Sequence, residues 1–170
     1  MISKSSKRIE MKKSVWLVLL LWVTGSVLAC DSKNTIYSEY EDITDGKWYE
    51  NHAPTFTFTI KDASVPYNLS YNLRNSLSYP YYNLYLTRYL TDSAGHVLES
   101  RLDELLLMDA KTGKPNGDGL GDIFDHKVLI KQNYRFPKPG QYSFRVKQYM
   151  RQNPLPDVLS IGLTVEKSGN

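Results

Sequence analysis

The residue whose chemistry is easiest to name is the single cysteine. Cys30 ends the run Val27-Leu28-Ala29-Cys30, a setting that resembles a bacterial lipobox. In such a signal the thiol takes up a diacylglycerol, the chain is cut just before the cysteine, and the new amino group is often acylated. What precedes it fits export. Lys4, Lys7, Arg8, Lys12 and Lys13 make a basic head, and Val15 to Ala29 is apolar apart from Thr24, Gly25 and Ser26. That span is shorter than the roughly 20 residues a bilayer-crossing helix needs, so it reads as a cleaved signal rather than a permanent anchor. Leu28 departs from the pattern, where a smaller or polar residue is commoner. Two or three acyl chains, at ~0.8 kcal/mol per buried methylene, hold a protein on a membrane. The expectation is a lipoprotein signal peptide over 1–29 and a mature chain beginning at lipidated Cys30. Met11-Lys12-Lys13 offers a second, more compact start.

Two other groupings have residue types that suit binding. Asn116, Asp118, Asp122 and Asp125 lie in a glycine-rich run, Asn116-Gly117-Asp118-Gly119-Leu120-Gly121-Asp122. Oxygen side chains at alternate positions with a glycine for a sharp turn resemble a calcium loop. Lys114 stands where such a loop would open with an Asp, which repels a cation. The reading better supported is therefore a glycine-rich turn whose aspartates cap backbone amides, with calcium as the alternative and no other cofactor. Tyr79, Tyr81, Tyr85 and Tyr89 share a parity, so one continuous strand would put them on a single face. Phenol rings at Tyr81, Tyr85 and Tyr89 could stack on sugar rings or a protein partner; equally, the strand could be buried on both sides.

Catalytic signals are weak. His52, His96 and His126 are scattered, and no GxSxG, HExxH or phosphate-cradling loop occurs. Glu41-Asp42 and Asp103-Glu104 are adjacent, and neighbours on a strand point to opposite faces. One cysteine allows neither an intrachain disulfide nor a CxxC pair. No catalytic residue is assigned.

These groups must be positioned by strands. From Thr55 onward the apolar period is two: Phe56, Phe58 and Ile60 alternate with threonines, and Tyr67, Leu69, Tyr71 and Leu73 alternate with Asn68, Ser70, Asn72 and Arg74. Tyr82 to Thr91 continues in the same way, Asp92-Ser93-Ala94-Gly95 reads as a hairpin turn, and Val97 to Leu102 as its return. Val128–Ile130, Tyr142–Val146 and Ile161–Val165 add three more. Seven to eight strands predict an all-β, antiparallel sandwich, immunoglobulin-like or jelly-roll-like. Tyr142, just after Pro137-Lys138-Pro139-Gly140, resembles a tyrosine corner. Ser100 and Asp103 before Leu105-Leu106-Leu107-Met108 predict the one alternative element, a short capped helix. The chain of 170 residues suits one domain, placed at residues 37–167, with 30–36 as a lipidated tether.

The formal charge of +3 belongs to the signal. Residues 1–29 carry five of the 21 Lys/Arg and one of the 18 Asp/Glu, which leaves 16 against 17, a charge of −1. Without a basic stripe, nucleic acid is excluded as the expected partner. The tether Asp31-Ser32-Lys33-Asn34 lacks a run of carboxylates, which favours a periplasm-facing protein in the cell membrane or outer membrane.

Taken in order, several short motifs resemble one family. After Cys30 come Tyr37-Ser38-Glu39-Tyr40, Gly46-Lys47-Trp48, Pro66-Tyr67-Asn68-Leu69, Asn72-Leu73-Arg74-Asn75 and Tyr79-Pro80-Tyr81-Tyr82-Asn83-Leu84. Gly119-Leu120-Gly121-Asp122-Ile123-Phe124-Asp125, Phe136-Pro137 and Asn153-Pro154-Leu155-Pro156 follow. This series, covering the mature chain, is similar to the gliding-motility lipoprotein family GldH. The resemblance implies a non-enzymatic envelope lipoprotein, tied to the gliding machinery of bacteria with type IX secretion. The implied partners are the membrane, through the anchor, and other gliding-motility lipoproteins and envelope proteins. Only Cys30 carries over with a role, as the lipid attachment site.

Overall fold

Period-two alternation becomes strands almost wherever it occurs. The computed structural model describes residues 34–169; the signal 1–29 and Cys30 lie outside the described residues. Eleven strands follow one another: β1 (Thr35–Asp42), β2 (Lys47–Trp48), β3 (Thr55–Ile60), β4 (Tyr67–Ser76), β5 (Asn83–Asp92), β6 (Val97–Leu106), β7 (Asp118–Leu120), β8 (Ile123–Tyr134), β9 (Gly140–Gln148), β10 (Leu155–Pro156) and β11 (Val158–Lys167). One 3-10 turn, Thr44–Gly46, is the only helical element among the described residues.

Nine of the strands form two antiparallel sheets. The larger has the order β1-β11-β4-β8-β7 and the smaller β3-β9-β5-β6, while β2 and β10 pair separately. The sheets face each other as a sandwich over one core. Tyr67, Leu69, Tyr71, Leu73, Ile161, Leu163 and Val165 point inward from the larger sheet; Phe56, Phe58, Ile60, Leu84, Leu86, Phe144 and Val146 point inward from the smaller. Aromatic rings join the layers: Tyr71 meets Phe144 edge-on at 5.8 Å, and Tyr37 meets Phe58 at 5.7 Å. Such contacts add roughly 0.5–1.5 kcal/mol each to the burial itself.

Because the pairing is antiparallel, the connections collect at two ends. One end holds the start of β1, the β3–β4 and β8–β9 loops, the β5–β6 turn and the end of β11, as the pairs Thr35↔Glu166, Ile60↔Gly140, Tyr67↔Tyr134 and Asp92↔Tyr142 require. The other end holds segments 43–54, 77–82, 107–122 and 149–157.

The sequence expectations need three adjustments. The short helix over Ser100–Met108 is absent: β6 runs on to Leu106, and Leu105, Leu106 and Leu107 alternate buried, exposed, buried. Sheet pairing with β5 outweighs the capping pattern there. The tyrosine run is not one strand, because β5 begins at Asn83 and leaves Tyr79 and Tyr81 in the preceding loop. Finally, β1 takes in Thr35 and Ile36, which the sequence reading gave to the tether.

The turn expectations hold. Gly95 adopts φ +82° in the β5–β6 hairpin, and its N–H donates to the Asp92 carbonyl at 3.0 Å. Tyr142 is buried, and its hydroxyl donates to the Lys138 carbonyl at 2.6 Å, which is the tyrosine-corner arrangement. Tyr142→Phe keeps the ring and removes this bond, so urea unfolding of the mature chain should show a loss of about 0.5–1.5 kcal/mol.

Candidate functional site

The outer face of the smaller sheet carries the residues best suited to contact. Alternation on β5 puts Tyr85, Thr87, Tyr89 and Thr91 outward, and register places Tyr85 opposite Glu104, Thr87 opposite Leu102 and Tyr89 opposite Arg145. At the end where β5 begins, Tyr81, Tyr85, Leu102, Tyr149, Met150 and Arg151 line an open, mainly apolar groove of about 440 Å³. Tyr149 is 64% exposed and Leu102 49%. The phenols are held in place: the Tyr81 hydroxyl donates to Gln152 Oε1 at 2.7 Å and the Tyr85 hydroxyl to Glu104 Oε1 at 3.0 Å. The Glu104 bond pushes the Tyr85 phenol above its ordinary pKa.

Of the tyrosines expected together, Tyr81 and Tyr85 meet in this groove and Tyr89 does not. Tyr89 lies farther along the sheet under the Arg145 guanidinium, 4.6 Å from the ring centre, a cation–π contact. Tyr79 belongs to the core, with its hydroxyl donating to the Asn83 carbonyl at 2.9 Å. Burial, with Tyr81 beside it, carries its pKa far above the ordinary phenol value. Tyr149 and Arg151 were missed by sequence reasoning. They follow β9 after its alternation ends, and no local pattern ties them to β5.

The glycine-rich run folds as a hairpin. Strand β7 pairs with β8 so that Asp118 opposes Asp125, with Gly121 at φ +65° in the turn. Asn116, Asp118 and Asp125 line a shallow depression with His126, and Asp122 stands apart in the turn. The Asn116 amide donates to the Leu106 carbonyl at 3.1 Å, while Asp125 accepts from Arg74 Nε at 2.8 Å. Among the described residues no three His, Cys, Asp or Glu converge to hold a metal ion. Two of the glycines meet a packing need. A Cβ at Gly117 would stand 2.5 Å from the Asp125 carbonyl oxygen, and one at Gly119 2.3 Å from the Phe124 ring. His126 is buried, in hydrogen-bond contact with the Asn75 side chain at 2.8 Å; burial lowers its pKa against the pull of Asp125 and Asp118.

The densest charge lies between the sheets. Arg88 on β5 is only 2% exposed. Its Nε and Nη2 donate to Glu99 Oε1 at 3.2 and 2.6 Å, and its Nη1 lies 2.9 Å from Asp103 Oδ2. That last contact is an ion pair without hydrogen-bond geometry, since Nη1 has no acceptor. Lys131 of β8 also pairs with Glu99, and the Tyr71 hydroxyl donates to Asp103 Oδ2 at 3.0 Å. Burial and the neighbouring Asp103 charge push the Tyr71 phenol well above its usual value. For Glu99, burial acts to raise the pKa, but Lys131 and Arg88 outweigh it and hold the carboxyl below the ordinary range. A carboxylate kept ionised by two cations suits bracing the layers rather than giving up a proton.

These features define a class: an antiparallel β-sandwich domain with an aromatic surface groove at one end and its inner charges locked in pairs. The chain belongs to the GldH lipoprotein family, whose match spans residues 35–165. It is 31% identical over 153 residues to the "Gliding motility lipoprotein GldH homolog" of Christiangramia forsetii, covering 84% of this chain and 89% of that one. It is 26% identical over 156 residues to the "Gliding motility lipoprotein GldH" of Flavobacterium johnsoniae, covering 88% of this chain and 94% of that one. Among solved structures, an arabinose-bound MgGH51 α-L-arabinofuranosidase matches 76% of this chain and 19% of its own at 14% identity and a TM-score of 0.36, too low to bear on function.

Two tests follow. Arg88→Met takes the buried cation from Asp103 and leaves Glu99 with Lys131 alone, and should cost about 3 kcal/mol in urea unfolding, the low end for a broken buried pair. The depressed Glu99 pKa makes a pH-dependent contribution that is present above the unfolded carboxyl value, about 4.3, and lost as pH falls through the lower folded value. Glu99→Gln should therefore be less stable at neutral pH and show a flatter loss below about pH 5. An unchanged acid limb would remove Glu99 from the account.

Proposed function

We propose that the mature chain is a lipid-anchored, periplasm-facing envelope protein that assembles or stabilises the gliding-motility machinery linked to type IX secretion, without catalysing a reaction. The observation that carries this reading is membership of the GldH lipoprotein family over residues 35–165, joined to a lipobox-like Cys30 five residues before the first strand. The lipid on Cys30 places the domain at the membrane, and its sheet faces and groove supply the contacts. The pairing of Glu99 and Asp103 with Arg88 and Lys131 supports a non-enzymatic role, because the inner carboxylates are committed to bracing.

A second reading has its own observation. Tyr81, Tyr85 and Tyr149 surround one open groove, with Glu104 and Gln152 bonded to two of the phenols. Aromatic rings beside fixed polar groups suit sugar rings, which would make the chain a glycan-binding envelope lipoprotein.

The two readings separate in one experiment. Detergent-solubilised envelopes are subjected to pull-down from wild type, Cys30→Ala and Tyr85→Ala, with mass spectrometry of the captured proteins and a parallel glycan-retention assay. Assembly predicts that motility or secretion proteins co-purify with wild type, are lost from Cys30→Ala and weaken with Tyr85→Ala. Glycan binding predicts that Tyr85→Ala abolishes glycan retention and leaves co-purification intact. If no motility or secretion protein is captured by the wild type, the assembly reading is overturned.

A further inference from the structure

The position of Cys30 constrains which end of the sandwich can meet a membrane. Thr35 opens β1 at the end formed by the β3–β4 loop, the β5–β6 turn, the β8–β9 loop and the end of β11. From Cys30 to Thr35 is five residues, which span at most about 18 Å when fully extended. A lipid on Cys30 therefore keeps this end within that reach of the headgroups. The ten-residue strands β4, β5 and β6 run about 33 Å, so the tether cannot bring the opposite end to the bilayer unless the domain lies on its side.

Charge separates the two ends independently. The near end exposes Lys61, Arg135, Lys138 and Lys167, and none of the four forms an ion pair among the described residues. Its carboxylates are fewer and engaged: Asp62 accepts from the Ser64 N–H and hydroxyl, Asp92 from the Ala94 and His96 N–H groups, and Glu166 pairs with Lys127, so four cations face three carboxylates. The far-end loops have the opposite balance. Asp45, Glu50, Asp109, Asp118, Asp122 and Asp157 there outnumber Lys47, Lys111, Lys114 and Arg151. A domain with a formal charge near zero is thus polarised along its strands, positive where the chain leaves for Cys30. Anionic headgroups attract cations within about a Debye length, ~10 Å at ordinary salt, an approach that a tether of at most about 18 Å permits.

Resting on the lipoprotein reading above, we infer that the basic end built by Lys61, Arg135, Lys138 and Lys167 docks on the anionic phospholipid headgroups of the membrane that holds the anchor, standing the sandwich upright. The groove at Tyr81, Tyr85 and Tyr149 is then presented away from the bilayer, about 30 Å up the strands. The lipid supplies attachment; the basic end supplies orientation.

The test uses the full lipidated chain reconstituted into phosphatidylethanolamine–phosphatidylglycerol vesicles that carry a nickel-chelating headgroup as a fluorescence quencher. A fluorophore is placed at Ser93→Cys on the near end or at Lys111→Cys on the far end; Cys30 is capped by its lipid and does not react. Quenching at Ser93→Cys should exceed that at Lys111→Cys at least threefold, and Lys61→Glu with Lys138→Glu should halve that contrast or more while circular dichroism stays unchanged. Equal quenching at both sites, or stronger quenching at Lys111→Cys, overturns the upright placement. A contrast untouched by the charge reversals overturns recognition by the basic end. The mass of the N-terminal peptide is measured in the same preparation. A lipid-free Cys30 overturns the lipoprotein reading itself, whereas a lipidated Cys30 with equal quenching overturns the docking alone.

Discussion

A guanidinium buried between two sheets dictates much of the surface. Arg88 needs carboxylates facing it, and β6 supplies them at Glu99 and Asp103. Side chains on a strand alternate, so turning Glu99 and Asp103 toward the interior turns Leu98, Ser100, Leu102, Glu104 and Leu106 outward. Three leucines consequently face solvent on an edge strand. One of them, Leu102, becomes a wall of the groove beside Tyr85, and Glu104 becomes the acceptor that fixes the Tyr85 hydroxyl. The inner ion cluster and the outer aromatic groove are two faces of a single register. Inward charge on an edge strand also discourages indiscriminate pairing with other chains.

How much of this could be read from the residues depends on how local the signal is. Strands β3, β4 and β9 were legible because one face is apolar and the other polar over their whole length, and the tyrosine corner was legible because turn and ring are neighbours in sequence. Strand β1 was not, since it lies at a sheet edge with half-exposed residues on both faces; its place comes from pairing with β11, far away in the chain. The glycine run was ambiguous because a calcium loop and a plain hairpin both use glycines at the turn, and the packing of Gly117 against His126 and Gly119 against Phe124 is tertiary, with no local signal. The tyrosine face was half right. Shared parity places side chains only inside one strand, and the chain turns at Tyr82 before β5 begins. Tyr149 and Arg151 reach the groove through tertiary contact alone.

The family relationship and the physical reading support each other at different scales. Family membership covers the whole described domain and says which class of envelope protein it is, without singling out a residue. The geometry supplies the residues: a groove at one end, unpaired cations at the other, and a rigid two-layer body between them. A groove and a proposed point of attachment separated by the length of the strands suit a protein whose proposed task is to hold other components near a membrane.

The placement of β1 has a mechanical consequence. It is the outermost strand of the larger sheet, and its only ladder partner among the described residues is β11, matched from Thr35↔Glu166 to Asp42↔Ser160. On the proposed reading, a lipid on Cys30 pulls on its first residue. In that reading, a force between the lipid below and a partner at the far end would run along the strands. Ladder hydrogen bonds lie perpendicular to that direction, so those joining β1 to β11 would resist together in shear rather than opening one at a time like a zipper. With the proposed anchor in place, a strand that looks peripheral in the sheet would be, for tension, the coupling between the domain and its membrane.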